Sequence, residues 1–295
     1  MNLVIGATGV LGREVCRLLR AESRPVRALI RPTSNTGTVQ ALKDSGVDVQ
    51  AGDLKRPETL KPLFDGVRYV VSTASSTLSR AEGDSIDTVD RQGQLNLIEA
   101  ARKSGVEQFV YTSFPATRIG CDLQDAKRTV ESAIRDSGVP FTILQTPHFW
   151  EIWFSQPLGF DVAARRARVF GDVEGKMSWV SLFDVARAVM ASLGNPKARN
   201  RTFVFGGPQA LSQRDVIRAF EKATGHSFEV EVLPLEAIRE QHRTATDPLH
   251  RSFAALMLIC SSEEWQLDNA SVRDALGIEP RSAEAFVKAV LDQQP

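Results

Sequence analysis

Leu3-Val4-Ile5-Gly6-Ala7-Thr8-Gly9-Val10-Leu11-Gly12 opens the chain, and an apolar period at Val15, Leu18 and Leu19 follows it. A β-prone run feeds a glycine turn, and the turn opens a helix. Gly6 permits the tight bend, Gly9 lets the backbone approach a pyrophosphate, and Gly12 allows close packing of helix on strand. Thr8, Val10 and Leu11 complete the turn, whose free N–H groups at the helix start face the phosphates. A glycine triplet alone is a weak signal. Between a strand and a helix, at the head of an alternating chain, it predicts a dinucleotide site.

The alternation continues outward from this turn. Short apolar runs at Asn2–Ile5, Val26–Ile30, Val47–Gln50, Tyr69–Ser72, Gln108–Thr112 and Phe141–Leu144 read as strands. Helical patterns start between them near Val10, Gly37, Pro57, Val89 and Asp122, and several stop at a glycine: Gly46, Gly105 and Gly138. Strands that are apolar throughout expect helices on both faces. The fold class is therefore α/β, a doubly wound Rossmann-type parallel sheet with a smaller, irregular C-terminal part. Residues 1–147 read as the dinucleotide-binding domain and 148–295 as the substrate-binding part, with roughly 178–206 packing back on the sheet. That stretch holds a helix near Leu182–Leu193 and a strand near Phe203–Phe205, and another helix follows at Ser212–Thr224.

Composition narrows the partner. The chain has 295 residues, 42% hydrophobic and 24% charged, enough apolar material for a large core. Lys plus Arg equals Asp plus Glu at 36 each, so no global field draws in nucleic acid or a membrane surface. A small-molecule substrate is the expected partner. Cys16, Cys121 and Cys260 form neither a disulfide framework nor zinc spacing, which predicts no metal and a cytoplasmic location. Met1 leads almost directly into the glycine turn, so no targeting leader is expected. The longest apolar run, Phe253 to Cys260, is too short for a bilayer and reads as a buried helix or a subunit contact, in a monomer or homodimer.

Cofactor choice turns on Arg31, which follows the second strand. An acidic residue there would bond the ribose hydroxyls, whereas arginine suits a 2′-phosphate, so NADP is expected, with NAD possible. Arg13 offers a second cation for the same group; the alternative is that both are solvated arginines. Asp53 and Leu54 after the third strand, and Ser72, Thr73 and Ala74 after the fourth, stand where strand ends line the crevice of an open sheet. Asp53 either accepts from the adenine amino group or serves as a turn residue.

Lys127 lies on an apolar stripe with Leu123, Val130 and Ile134. Its ammonium either meets ribose hydroxyls or a substrate oxygen, or its stem packs while the head reaches solvent. Ser113 ends the fifth strand and either holds a substrate carbonyl or caps the strand. Pro147 and His148 follow the sixth strand; His148 is either a proton donor or a structural loop histidine. Phe149, Trp150 and Trp153 concentrate aromatic surface, with Phe154 and Phe160, in a chain only 7% aromatic. They form either a pocket for a flat apolar ligand or a hydrophobic minicore.

The glycine turn, Gly52-Asp53-Leu54, residues Leu97 to Val106, Tyr111-Thr112-Ser113 and Trp179 to Ala186 resemble the atypical short-chain dehydrogenase/reductases, and among them the NmrA-like group. The resemblance spans nearly the whole chain and fades after about Gln213. It implies the fold and NAD(P) binding more firmly than any reaction, because the group holds reductases, redox sensors and assembly factors. The family's usual pair is a tyrosine four residues before a lysine. Lys127 matches the lysine, but Leu123 stands at the tyrosine position. Isoflavone-reductase-like relatives also rely on a lysine in this region, which keeps Lys127 a candidate. The expectation is an NADP(H)-dependent oxidoreductase acting on a small aromatic, quinone-like or unsaturated carbonyl substrate. Its rival is a non-catalytic NADP-binding redox sensor or assembly factor. A sugar-nucleotide epimerase is disfavoured, since that chemistry leans on the absent pair.

Overall fold

Six parallel strands form the frame: β1 (Asn2–Ile5), β2 (Val26–Ile30), β3 (Asp48–Ala51), β4 (Tyr69–Ser72), β5 (Gln108–Ser113) and β6 (Phe141–Gln145). The computed structural model describes residues 1–77 and 81–292. Four helices connect these strands: α1 (Val10–Ala21), α2 (Thr36–Asp44), α3 (Gln94–Ser104) and α4 (Asp122–Asp136). The strands lie in the order β6-β5-β4-β1-β2-β3, so the order reverses between β1 and β4 and leaves a crevice above the carboxyl end of β1.

Both faces of the sheet are covered, as the apolar strands require. Successive residues of β1 point to opposite faces. Val4 packs in a core with Val15 and Leu19 of α1, while Leu3 and Ile5 join Leu97 of α3 and Val130 and Ile134 of α4. The helix expected from Pro57 is instead two short 3-10 turns, Pro57–Thr59 and Lys61–Phe64. Pro62 supplies no backbone N–H and its ring obstructs the preceding turn, so no continuous α-helix forms there. The helix expected near Val89 begins earlier, at Ile86, where Ser85 and Thr88 form a reciprocal capping box. Its first eight residues, Ile86–Gly93, are wound as a π-helix that runs into α3.

The second half contains α5 (Trp150–Trp153), β7 (Phe160–Asp161), β8 (Arg166–Phe170), β9 (Lys176–Met177), α6 (Leu182–Ser192) and β10 (Arg201–Val204). After them come β11 (Leu211–Ser212), α7 (Gln213–Thr224), β12 (Glu229–Leu233), α8 (Leu235–Thr244), α9 (Pro248–Ser262), α10 (Ala270–Leu276) and α11 (Ala283–Leu291). Strand β10 pairs in parallel with β6 and becomes the seventh strand of the central sheet, and Val185 and Val189 of α6 share the core of α1. A separate aromatic core, including Trp150, Phe160, Trp179, Phe220 and Phe286, unites α5, α7 and α11 beyond the end of the sheet. Helix α9 carries the apolar run Phe253–Cys260 and is mostly buried, so that run is an interior helix. No helix among the described residues is long and apolar enough to cross a membrane.

Candidate functional site

A cleft of about 560 Å³ opens where the strand order reverses and extends beneath α9. Its wall at one end is the glycine turn, from Gly6 to Gly12. Gly6 adopts φ +83°, and a Cβ on it would meet Ala74 N at 2.8 Å. Gly12 is tighter, since a Cβ there would lie 2.1 Å from the Gly6 carbonyl oxygen. Gly9 is different. Its φ of −74° suits any residue, and a Cβ would approach only the Gly6 carbonyl, at 3.2 Å. Gly9 is also the N-cap of α1, with no side chain to bond the first-turn N–H groups and no acidic residue following. Those donors and the positive end of the helix dipole are thus left for an anion.

Arg31, Ser34, Asp53 and Leu54 line the adjoining end of the cleft, beyond the ends of β2 and β3. Asp53 is also a turn residue, accepting from Lys55 N at 2.9 Å. Arg31 is ion-paired with Asp84, from the loop that follows β4. Arg13 does not border the cleft. Thr73 and Ala74 line the cleft, but Ser72 does not: it is fully buried and donates to Gln94 Oε1 at 2.8 Å. The expected cofactor role of Ser72 is corrected on this point, because strand alternation turns its side chain inward.

Lys127 and Leu123, one turn apart on α4, both face the cleft. Lys127 is 8% exposed, so its head does not reach solvent. Its Nζ donates to the Thr112 carbonyl at 3.3 Å and sits 5.2 Å from the Tyr111 ring centroid. Burial pulls its pKa below the usual lysine value, while the nearby carboxylates Asp90 and Glu131 oppose that shift. The bond to Thr112 engages one of the three ammonium donors, and the side chain borders the cleft.

Ser113 borders the cleft, but its hydroxyl proton is engaged. It donates to Glu131 Oε1 at 2.6 Å and accepts from Arg128 at 3.1 Å. Glu131 is the hub of this cluster, binding Gln145 at 2.9 Å, Arg128 at 2.6 Å and Arg135 at 3.2 Å. Ser113 therefore ties β5 to α4, and donation to a substrate carbonyl requires breaking its bond to a buried carboxylate.

The far end of the cleft is apolar, with Phe114, Phe149, Ile152, Trp153, Phe253 and Leu256 on its walls. Trp153 stacks on Phe253, at 6.1 Å and 10° between planes. Trp150 is absent from this wall. It is 1% exposed and stacks on Phe286 at 5.3 Å, so its expected substrate contact gives way to a place in the aromatic core. Phe154 and Phe160 belong to that core too. The aromatic segment thus splits between pocket and minicore. Phe114, Phe253 and Leu256 were not singled out beforehand; the spacing of three between Phe253 and Leu256 on an apolar helix was the available signal.

Pro147 and His148 lie along the same wall. His148 is packed against Phe114, Trp153 and Trp179, and its Nε2 faces the Leu256 carbonyl at 3.1 Å. A carbonyl only accepts, so Nε2 carries the proton and Nδ1 does not. Burial lowers the imidazole pKa from 6.5 to about 3. The proton-donor role expected of His148 is therefore corrected: at neutral pH the ring is uncharged and its one N–H is engaged. Because the unfolded chain binds this proton below pH 6.5 and the folded chain does so only near 3, the contribution to stability is full above 6.5 and drains away as pH falls through that window. Urea unfolding at pH 7.5 and 5.5 should show wild type losing about 1.4 kcal/mol more than His148→Gln. Equal losses would show that the ring takes up its proton without resistance.

A parallel sheet in Rossmann order, with a glycine turn and a helix N-terminus at its reversal point, defines a nucleotide-binding class of α/β protein. Within that class the chain belongs to the NmrA-like family, matched over residues 2–287. It is 31% identical to a photosystem II assembly factor of Trieres chinensis over 79% of this chain and 72% of that protein. It is 29% identical to the NAD(P)H azoreductase of Xenophilus azovorans over 81% of this chain and 79% of that protein. Among solved structures it is similar to the NADPH-dependent quinone oxidoreductase of Escherichia coli complexed with NADPH, with a TM-score of 0.78 and 21% identity, over 99% of this chain and all of that one. At that identity the likeness is one of fold.

Proposed function

We propose that the protein is an NADP(H)-dependent oxidoreductase that reduces a small aromatic, quinone-like or unsaturated carbonyl compound. The observation that carries this reading is that one cleft is lined by the glycine turn, by Lys127 and by the apolar wall of Phe114, Phe149 and Trp153. The residues present suit a dinucleotide. At Gly9 the backbone φ suits any residue and a Cβ would press on one carbonyl only, at 3.2 Å, so the open side of this glycine is left to a ligand. The N-terminus of α1 receives the pyrophosphate and Arg31 the 2′-phosphate. Asp53 and Leu54, which line the cleft, would border the adenosine, and Thr73, Ala74 and Pro147 the remainder.

When bound, the nicotinamide supplies the hydride, which the protein itself cannot. Lys127 holds a positive charge in a poorly solvated wall, where it stabilises negative charge developing on a substrate oxygen or orients a ribose hydroxyl. Phe149 and Trp153 exclude water and present flat faces to a flat substrate. The proton that completes the reduction comes from solvent or from the Lys127 ammonium, since His148 has none to give.

A second reading, NADP binding without turnover in an assembly or sensing role, is favoured by Leu123 at the position of the family's tyrosine and by the relative in Trieres chinensis. Following NADPH absorbance with quinones, azo dyes and aromatic enones separates the two. Oxidation that depends on one of these substrates is expected. Tight NADPH binding with no turnover across the panel would overturn the reductase in favour of the second reading.

A further inference from the structure

Arg31 shares its carboxylate partner with a second cation. Asp84 Oδ2 bonds Arg31, and its other oxygen, Oδ1, bonds Lys55 Nζ at 2.7 Å. The carboxylate is the best-shielded member of the group: its side chain is 1% exposed, against 29% for Arg31 and 24% for Lys55. Arg31 and Asp84 border the cleft and Lys55 does not, so the carboxylate masks one of the two cations from the cleft. Resting on the reading that the cleft binds NADP(H), we propose that Arg31 and Lys55 together form the seat of the 2′-phosphate, and that Asp84 holds this seat as an internal anion until the phosphate displaces it.

Charge and geometry argue for displacement over coexistence. Asp53 lies 3.9 Å from Lys55, so among these four described residues each cation faces a carboxylate. A phosphate monoester brings a charge of about −1.5 to −2 and three acceptor oxygens, so it bridges two cations better than a single carboxylate does. Leaving Asp84 in place would set like charges together at Arg31. The loop is built to yield locally. Lys55 Nζ also donates to the Glu82 carbonyl, at 3.3 Å, so one cation holds both backbone and side chain of residues 82–84. The next residue, Ser85, is anchored separately by its capping box with Thr88. Gly83 stays held by Thr88 Oγ1 at 2.8 Å and Asp84 N by the Ala81 carbonyl at 3.1 Å, so the exchange is confined to the Asp84 side chain and leaves the helix behind it wound. NAD(H), which carries no 2′-phosphate, has nothing to exchange for Asp84 and does not disturb the latch.

Fluorescence titration of the full chain with NADPH and NADH tests this directly. Asp84→Asn keeps the side chain's shape and one acceptor but removes the charge. It should tighten NADPH binding about tenfold and change NADH binding less than about twofold. Lys55→Met should weaken NADPH about tenfold and leave NADH unchanged. Asp84→Ala, with thermal unfolding run alongside, guards against a folding artefact of the first variant. If Asp84→Asn and Asp84→Ala weaken NADPH binding, Asp84 organises the cations for the cofactor and the latch is refuted. Equal changes for both cofactors would refute it as well. If wild type binds neither nucleotide, the cofactor reading itself fails, and the latch with it.

Discussion

Replacing Lys127 by methionine should lower reductase turnover about a hundredfold, equivalent to about 2.7 kcal/mol of lost transition-state stabilisation, while the fold survives. Methionine keeps a stem of similar length against Leu123 and the Tyr111 ring. What is removed is a desolvated ammonium with one hydrogen bond to Thr112. Breaking that bond costs little in the folded state, because the desolvation penalty of the charge disappears with it. The melting temperature should therefore move by no more than about 3 °C, the shift produced by about 1 kcal/mol in a chain this size. Lys127→Arg provides the rescue control: it restores the charge but not the small head, and recovers activity only in part if a point donor is needed. Turnover in Lys127→Met equal to wild type would remove Lys127 from the reaction.

Gly9→Ala should abolish useful dinucleotide affinity, with a loss of at least about a hundredfold for NADPH and NADH alike, and leave the circular dichroism spectrum unchanged. The structure separates this glycine from its neighbour. At Gly9 the added methyl meets one carbonyl at 3.2 Å and otherwise faces the cleft, where the pyrophosphate must approach backbone N–H groups. At Gly12 the same methyl would sit 2.1 Å from the Gly6 carbonyl, so Gly12→Ala should fail in folding. A folded Gly9→Ala variant that binds NADPH normally would place the phosphate site elsewhere.

Both residues stand out in the sequence because local spacing marks their positions. The glycine turn sits between a strand and a helix, and Lys127 interrupts an apolar stripe of period 3.6. The strands were legible for the same reason: β1, β2 and β4 fall where their short β-rich runs place them. The segment from Pro57 forms two 3-10 turns and no α-helix, because Pro62 interrupts it.

The aromatic segment shows where local reading stops. Trp150 and Trp153 are on one short helix, and both are nearly buried, yet only Trp153 meets the cleft. Phe286, 136 residues beyond Trp150, claims one ring by stacking, and Phe253 pairs with the other. The sequence left His148 either a proton donor or a structural loop histidine; in the fold its Nε2–H donates to the Leu256 carbonyl and burial among aromatic rings keeps the imidazole neutral. Asp84 gave no motif at all. Its meaning lies in reaching Arg31 across 53 residues and Lys55 across 29.

The Rossmann frame, the glycine turn and the inward lysine are legible from local sequence, because each depends on contacts within a few residues or on the repeat of one element. Which aromatic rings face the cleft, which histidine nitrogen keeps a proton and which carboxylate pairs with Arg31 emerge only in three dimensions. Those outcomes depend on packing between segments far apart in the chain, where burial sets charge and hydrogen-bonding and no local period records the partner.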